Sequence, residues 1–151
     1  MTHVHSVQRV ISASPTEIFD LLATPVRHCE LDGGGTVKGV LDGPTRLALG
    51  SNFAMSNRRG PITYRSGNRV VEFEEGRRIG WRTAQELGGH LVFGGQVWRF
   101  ELTDRGDGST LVRESWDVST ARPRALLKRI PGPPTRAMSA TLERLADHFK
   151  H

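Results

Sequence analysis

The chain has one cysteine, Cys29, so no internal disulfide staples it. Cys29 follows His28 directly, and neighbouring residues point apart on any regular element. The pair is therefore no catalytic Cys–His couple, and Cys29 reads as a packed thiol. No apolar run approaches the ~20 residues that a membrane helix needs. The first residues, Met1-Thr2-His3-Val4-His5-Ser6, lack the charged-then-apolar order of a secretory signal, so a cytoplasmic location is the expectation. There is no Gly-x-Ser-x-Gly elbow, no P-loop and no dinucleotide fingerprint. His3 with His5, and His148 with His151, lack a third ligand at a recognised spacing, so neither a metal nor a cofactor is expected.

The net charge is +5, which suits anionic partners, yet the basic residues are spread along the chain. The densest set, Arg122, Arg124, Lys128, Arg129 and Arg136, spans a Pro-rich segment without interleaved aromatics or a helix-turn-helix pattern. It reads as a solvated face, and no specific nucleic-acid binding is expected. The 151 residues suffice for one domain with a real core, and neither a repeat nor a domain boundary is visible, so 1–151 is read as a single domain. Nothing in the sequence fixes an oligomeric state.

Seventeen glycines punctuate the chain, as in a sheet-rich protein. Residues 4–11 read as a first strand. Ser14, Pro15 and Glu17 form a helix start, with Ser14 as N-cap and Glu17 closing a capping box. Thr24-Pro25 ends that helix and begins a second short one through Leu31. Asp32-Gly33-Gly34-Gly35 is a turn. Further strands follow at 36–41, 51–58, 62–75, 78–83, 96–104 and 110–118, each bounded by turn residues. The first part of 62–75 can be loop, because Ser66-Gly67-Asn68 interrupts it. The Gly-rich segment 87–95 reads as a connection or as a lid with Leu91, Val92 and Phe93 at its tip. A helical turn is expected at 125–130. After the breaker Pro131-Gly132-Pro133-Pro134, Met138, Leu142, Leu145 and Phe149 recur at helical spacing, which predicts a terminal amphipathic helix over 133–150. Hairpin strands with helices at both ends make an α+β pattern.

Several stretches carry a resemblance. The opening Val10-Ile11-Ser12-Ala13-Ser14-Pro15-Thr16-Glu17-Ile18-Phe19 is one. The segment Phe73-Glu74-Glu75-Gly76-Arg77-Arg78-Ile79-Gly80-Trp81-Arg82 is another. The last two strands, Trp98-Arg99-Phe100-Glu101-Leu102 and Gly108-Ser109-Thr110-Leu111-Val112-Arg113-Glu114-Ser115-Trp116, complete the set. Together they resemble the polyketide cyclase/dehydrase and lipid-transport superfamily (START-like, SRPBCC) over nearly the whole chain. The resemblance implies a helix-grip fold: a seven-stranded antiparallel sheet wrapped around the C-terminal helix, two short helices between strands 1 and 2, and a hydrophobic tunnel inside. It supplies no universal catalytic residue.

Strand parity nominates the tunnel wall. On the concave face it places Phe53, Met55 and Asn57; Arg69, Val71 and Phe73; Ile79, Trp81 and Thr83; Trp98, Phe100 and Leu102; and Thr110, Val112, Glu114, Trp116 and Val118. Met138 and Leu142 of the terminal helix would roof it. The candidate ligand contacts are therefore Phe53, Met55, Val71, Phe73, Trp81, Trp98, Phe100, Glu114, Trp116, Met138 and Leu142. A carboxylate among aromatics must be paired, protonated or at a wet mouth, and Arg69 is the candidate partner of Glu114. The expected activity is binding of a small hydrophobic ligand, aromatic or acyl. The alternatives are a cofactor-independent cyclase or dehydratase using Glu114 and Arg69, and an interaction module with a filled cavity that uses the basic segment 122–136.

Overall fold

The computed structural model describes residues 3–87, 90–125 and 132–150. The chain runs β1 (Val4–Ile11), α1 (Pro15–Leu22), a 3-10 turn (Pro25–Arg27), α2 (His28–Leu31), β2 (Val37–Asp42), β3 (Asn52–Arg59), β4 (Ile62–Glu74), β5 (Arg78–Leu87), β6 (His90–Asp104), β7 (Thr110–Asp117) and α3 (Thr135–His148). The strands form one antiparallel sheet in the order β1-β7-β6-β5-β4-β3-β2. Hairpin connections account for every neighbouring pair except β1–β7, which joins the two ends of the sequence.

The capping box at α1 is present. Ser14 Oγ accepts from the Glu17 amide at 3.3 Å, and Glu17 Oε2 accepts from the Ser14 amide at 3.0 Å. Its apolar face, Ile18, Phe19, Leu21 and Leu22, is buried. Phe19 meets Phe73 edge-on at 5.3 Å. The main core joins these side chains to Ile11, Val70, Ile79, Phe100, Val112, Leu142 and Leu145. A second cluster gathers Phe93, Trp116, Val118, Ala121 and Met138. Burying one such large apolar side chain stabilises the fold by about 1.5–3 kcal/mol. The two clusters together therefore fix α3 over β1 and β7, with α2 beside it.

Gly33 explains how the segment before β2 docks on α3. Any Cβ there would collide with the backbone of Ala137 and Thr141, so only glycine permits this approach. Its amide donates to Thr141 Oγ1 at 2.9 Å, and Arg144 Nη1 donates to the Asp32 carbonyl at 2.8 Å.

Three expectations need correction. Residues 62–67 are strand throughout, because Ser66 and Asn68 are buried members of the pleat rather than a turn. The segment from His90 to Gly95 belongs to β6, so it is no lid: the β5–β6 hairpin continues through two irregularities in register. Phe93 is buried in the second cluster instead of standing at a loop tip. Gly95 makes this possible, with φ of 87° and a backbone packed too tightly on Thr120 for a side chain. Gly88, Gly89, His151, the side chains of Leu91 and Val92, and residues 126–131 lie outside the described residues, and with them most of the expected helical turn at 125–130. No described helix is long and apolar enough to cross a membrane. An antiparallel seven-stranded sheet closed over by its C-terminal helix, with two short helices after β1, is the helix-grip arrangement.

Candidate functional site

Between the sheet and the helices lies a cavity of about 180 Å³. Its position follows from the register. Trp81, Trp98 and Trp116 stand opposite one another on β5, β6 and β7, and Ile79, Phe100 and Glu114 form the next row. Phe53, Met55, Trp81, Trp98, Phe100 and Glu114 line the cavity from the sheet. Ala137, Met138, Thr141 and Leu145 line it from α3, and His28, Leu31 and Asp32 from α2 and the turn after it.

Four of the candidate ligand contacts do not line it. Trp116 is buried beside the cavity, and its indole N–H is already used on Gln96 Oε1 at 2.7 Å. Leu142 is spent in the main core. Phe73 keeps the inner face opposite Ile79 but packs on Phe19 of α1 in the main core instead. Val71 is displaced because the β4–β5 register slips between Val70 and Glu72. That bulge gives β4 one extra residue, and every side chain upstream of it sits on the face opposite to simple alternation. Ser66, Asn68 and Val70 therefore point inward and are buried. Arg69 is exposed on the outer face, directly across from Arg82. Arg69 is thus no partner for Glu114, and the expected ion pair is corrected.

Glu114 has no other partner either. It is only 4% exposed, and its Oε2 is buried with no hydrogen bond. Its cross-strand neighbours, Phe100 and Val7, offer it nothing polar. Burial pushes its carboxyl well above the usual carboxylate range, and the negative charge of Asp32 adds to the rise. Burial thus favours the protonated form of Glu114, which donates a hydrogen bond as well as accepting one.

Asp32 is held differently. Its Oδ2 accepts from the Thr36 and Val37 amides at 2.7 and 2.8 Å, and its Oδ1 accepts from the Gly34 amide at 3.2 Å. The turn itself satisfies this carboxylate.

His28 is a site residue that sequence reasoning passed over. Its ring stacks on Trp81 at 5.0 Å and meets Phe53 edge-on at 5.6 Å. Nε2 donates to the Leu22 carbonyl at 2.7 Å, which leaves Nδ1 as the acceptor. Burial lowers its pKa to about 4, against a smaller upward pull from that hydrogen bond. The imidazole is neutral at neutral pH.

The remaining polar lining is largely tied to itself. Asn57 Nδ2 donates to Ser66 Oγ at 2.9 Å and to the Met55 carbonyl at 3.1 Å. Thr83 Oγ1 donates to Asn68 Oδ1 at 2.8 Å. Parity already placed Asn57 and Thr83 on this face; Ser66 and Asn68 were hidden by the bulge. Among the described residues, no group of three His, Cys, Asp or Glu side chains is placed to hold a metal ion.

No family model matches the sequence. An uncharacterised protein of Mycobacterium tuberculosis is 32% identical over 111 residues, covering 74% of this chain and 46% of that protein. The chain thus spans about half the length of the curated relatives it matches. Among solved structures, a protein of Chromobacterium violaceum superposes with a TM-score of 0.72 at 21% identity, covering 98% of this chain and 97% of the other. Norcoclaurine synthase of Thalictrum flavum, determined in complex with dopamine and hydroxybenzaldehyde, superposes with a TM-score of 0.67 at 13% identity, covering 98% and 88%. At these identities the likeness shows the helix-grip fold and nothing of the chemistry.

Proposed function

We propose that this chain binds a small, mostly apolar molecule, aromatic or acyl, between the sheet and α3, with Glu114 as its polar anchor. The observation that carries this reading is Glu114 Oε2, a buried polar atom without a partner among the described residues, on the wall of a cavity that Phe53, Trp81, Trp98 and Phe100 also line. Native interiors pair nearly all buried polar atoms, and each exception asks for an explanation. A ligand acceptor supplies one.

The size of the space limits the ligand. A dry cavity of about 150 Å³ takes benzene, and drug-sized sites begin near 300 Å³. At about 180 Å³ this cavity suits a single substituted ring or a short acyl chain. The Thalictrum flavum enzyme was determined with two single-ring molecules, which agrees with that size class.

Trp81 and Trp98 line the cavity, so intrinsic fluorescence reports on its occupancy. Titration with substituted benzenes and short acyl compounds should quench it saturably. Ala137→Leu, which fills the cavity from α3, should abolish that response while leaving the melting curve cooperative. A wild-type protein that responds to none of these compounds contradicts the reading.

A cofactor-independent cyclase or dehydratase acting on a polyketide-like substrate is the second reading. It is favoured by Glu114 and His28 lining one cavity with complementary shifts, a carboxyl pushed towards its protonated form and a neutral imidazole. Conversion of a β-polyketone in the cavity, lost in Glu114→Gln, would support it over simple carriage; binding without conversion would count against it.

A further inference from the structure

We infer that the cavity selects an apolar amine, carried as its ammonium ion, over the corresponding carboxylate or neutral alcohol. This inference rests on the binding function proposed above and names the ligand class for that same site.

The first argument is the sign of the charges. Two carboxyl groups, Glu114 and Asp32, line the cavity, and among the described residues no Lys or Arg does. His28 adds no positive charge, because burial lowers its pKa to about 4 against the upward pull of its Leu22 hydrogen bond. Arg144 approaches Asp32 from the exposed side of α3 and spends Nη1 on its carbonyl. A carboxylate ligand would bring a third acidic group into this space with no cation to meet it, and burying an unpaired charge is costly.

The second argument is the unpaired oxygen. Glu114 Oε2 is buried without a partner on the cavity wall. An ammonium group can donate to it and neutralise the carboxylate that forms. Of the three ligand types, only an amine brings a positive charge to offset both Asp32 and an ionised Glu114. Four of the other polar side chains of the lining are already occupied: Asn57 with Ser66, and Thr83 with Asn68.

The third argument is the wall. Trp81 stacks on His28, lies 5.6 Å from Phe53 and lies 5.9 Å from Phe100, so aromatic surface surrounds the space. Aromatic faces attract a cation, and more strongly when water is excluded.

Binding then has a proton signature. Burial without a partner favours protonated Glu114 in the free site, and the amine arrives protonated from solution. When the ion pair forms, Glu114 gives up that proton to the buffer, so amine binding is accompanied by proton release. The other groups facing the site are Asp32, His28 and Tyr64. Asp32 stays on its three backbone amides.

The probes are 2-phenylethylamine, 2-phenylethanol and phenylacetate, matched in size and each a single ring. Isothermal titration in buffers of different ionisation enthalpy gives both affinity and proton count, and Trp fluorescence checks occupancy. The expected result is that the amine binds at least about tenfold more tightly than either analogue, because a charge-assisted hydrogen bond is roughly twice as strong as a neutral one. Proton release should accompany binding of the amine and not of the alcohol. In Glu114→Gln, checked for an unchanged fold by its melting curve, the preference should collapse to within about threefold and proton release should vanish. Equal or tighter binding of the alcohol or of phenylacetate overturns the inference and leaves the cavity reading standing. Amine binding without proton release also overturns it. If none of the three probes binds, nor any compound of the wider panel, the cavity reading falls together with it.

Discussion

Glu72 and Glu114 lie on opposite faces of the same sheet, and their surroundings push their carboxyl pKa values in opposite directions. On the outer face Arg99 grips Glu72 with Nε at 2.8 Å and Nη2 at 2.6 Å and reaches Asp117 at 3.3 Å; Arg78 adds a contact at 2.7 Å. Those partners, Arg99 first, hold the Glu72 carboxyl below the usual range. On the inner face Glu114 has no partner and is pushed upward by burial. A charge that the fold has already paired is part of the fold. An ionisable group that the fold leaves unpaired inside a cavity is available to something else.

The contrast can be broken from the acid side first. The unfolded His28 titrates near 6.5 and the folded one near 4. A depressed histidine pKa means that the unfolded chain takes up the proton first, so stability falls as pH drops from about 6.5 towards 4, by about 3 kcal/mol in all. Urea unfolding across that range should show this loss in the wild type and not in His28→Gln.

The next effect belongs to the outer face. Arg99→Met strands Glu72 and Asp117, both partly buried, and should cost about 2 kcal/mol, less than for a fully buried pair. It should also return Glu72 towards ordinary titration. Urea midpoints at neutral pH measure the first effect.

Glu114→Gln should be the mildest change, within about 1 kcal/mol of the wild type in acid, because a protonated carboxyl and an amide differ little there. The sign of its pH dependence is the informative part. A raised folded pKa means that the folded state holds the proton longer, so the wild type loses stability relative to the variant as pH rises above the unfolded value. Glu72 contributes the opposite slope: its stabilisation is lost as pH falls through its lowered pKa.

Much of this was legible in the residues, and what was missed has local causes. The alternation on β3, β5, β6 and β7 is unbroken where it faces the cavity, so Phe53, Met55, Trp81, Trp98, Phe100 and Glu114 were placed on the correct wall from sequence alone. On β4 one extra residue at the bulge inverted the upstream half, which sent Arg69 outward and hid Ser66 and Asn68. A bulge leaves no mark in the pattern of apolar residues when both faces carry polar ones. The β5–β6 hairpin was misread because its glycines look like loop composition, whereas Gly95 permits close packing on Thr120. His28 was missed because a helix as short as His28–Leu31 has too few residues to declare which side faces inward.

The central claim is that Glu114 waits in the cavity as a neutral, unpaired acid. Carbon-13 NMR of the side-chain carboxyls through a pH titration tests it most directly. The account predicts that the Glu114 carboxyl titrates well above the ordinary carboxylate range while Glu72, in the same spectra, titrates below it. A Glu114 midpoint within or below the ordinary range would mean that the carboxylate has a partner or solvent after all, and would contradict the account.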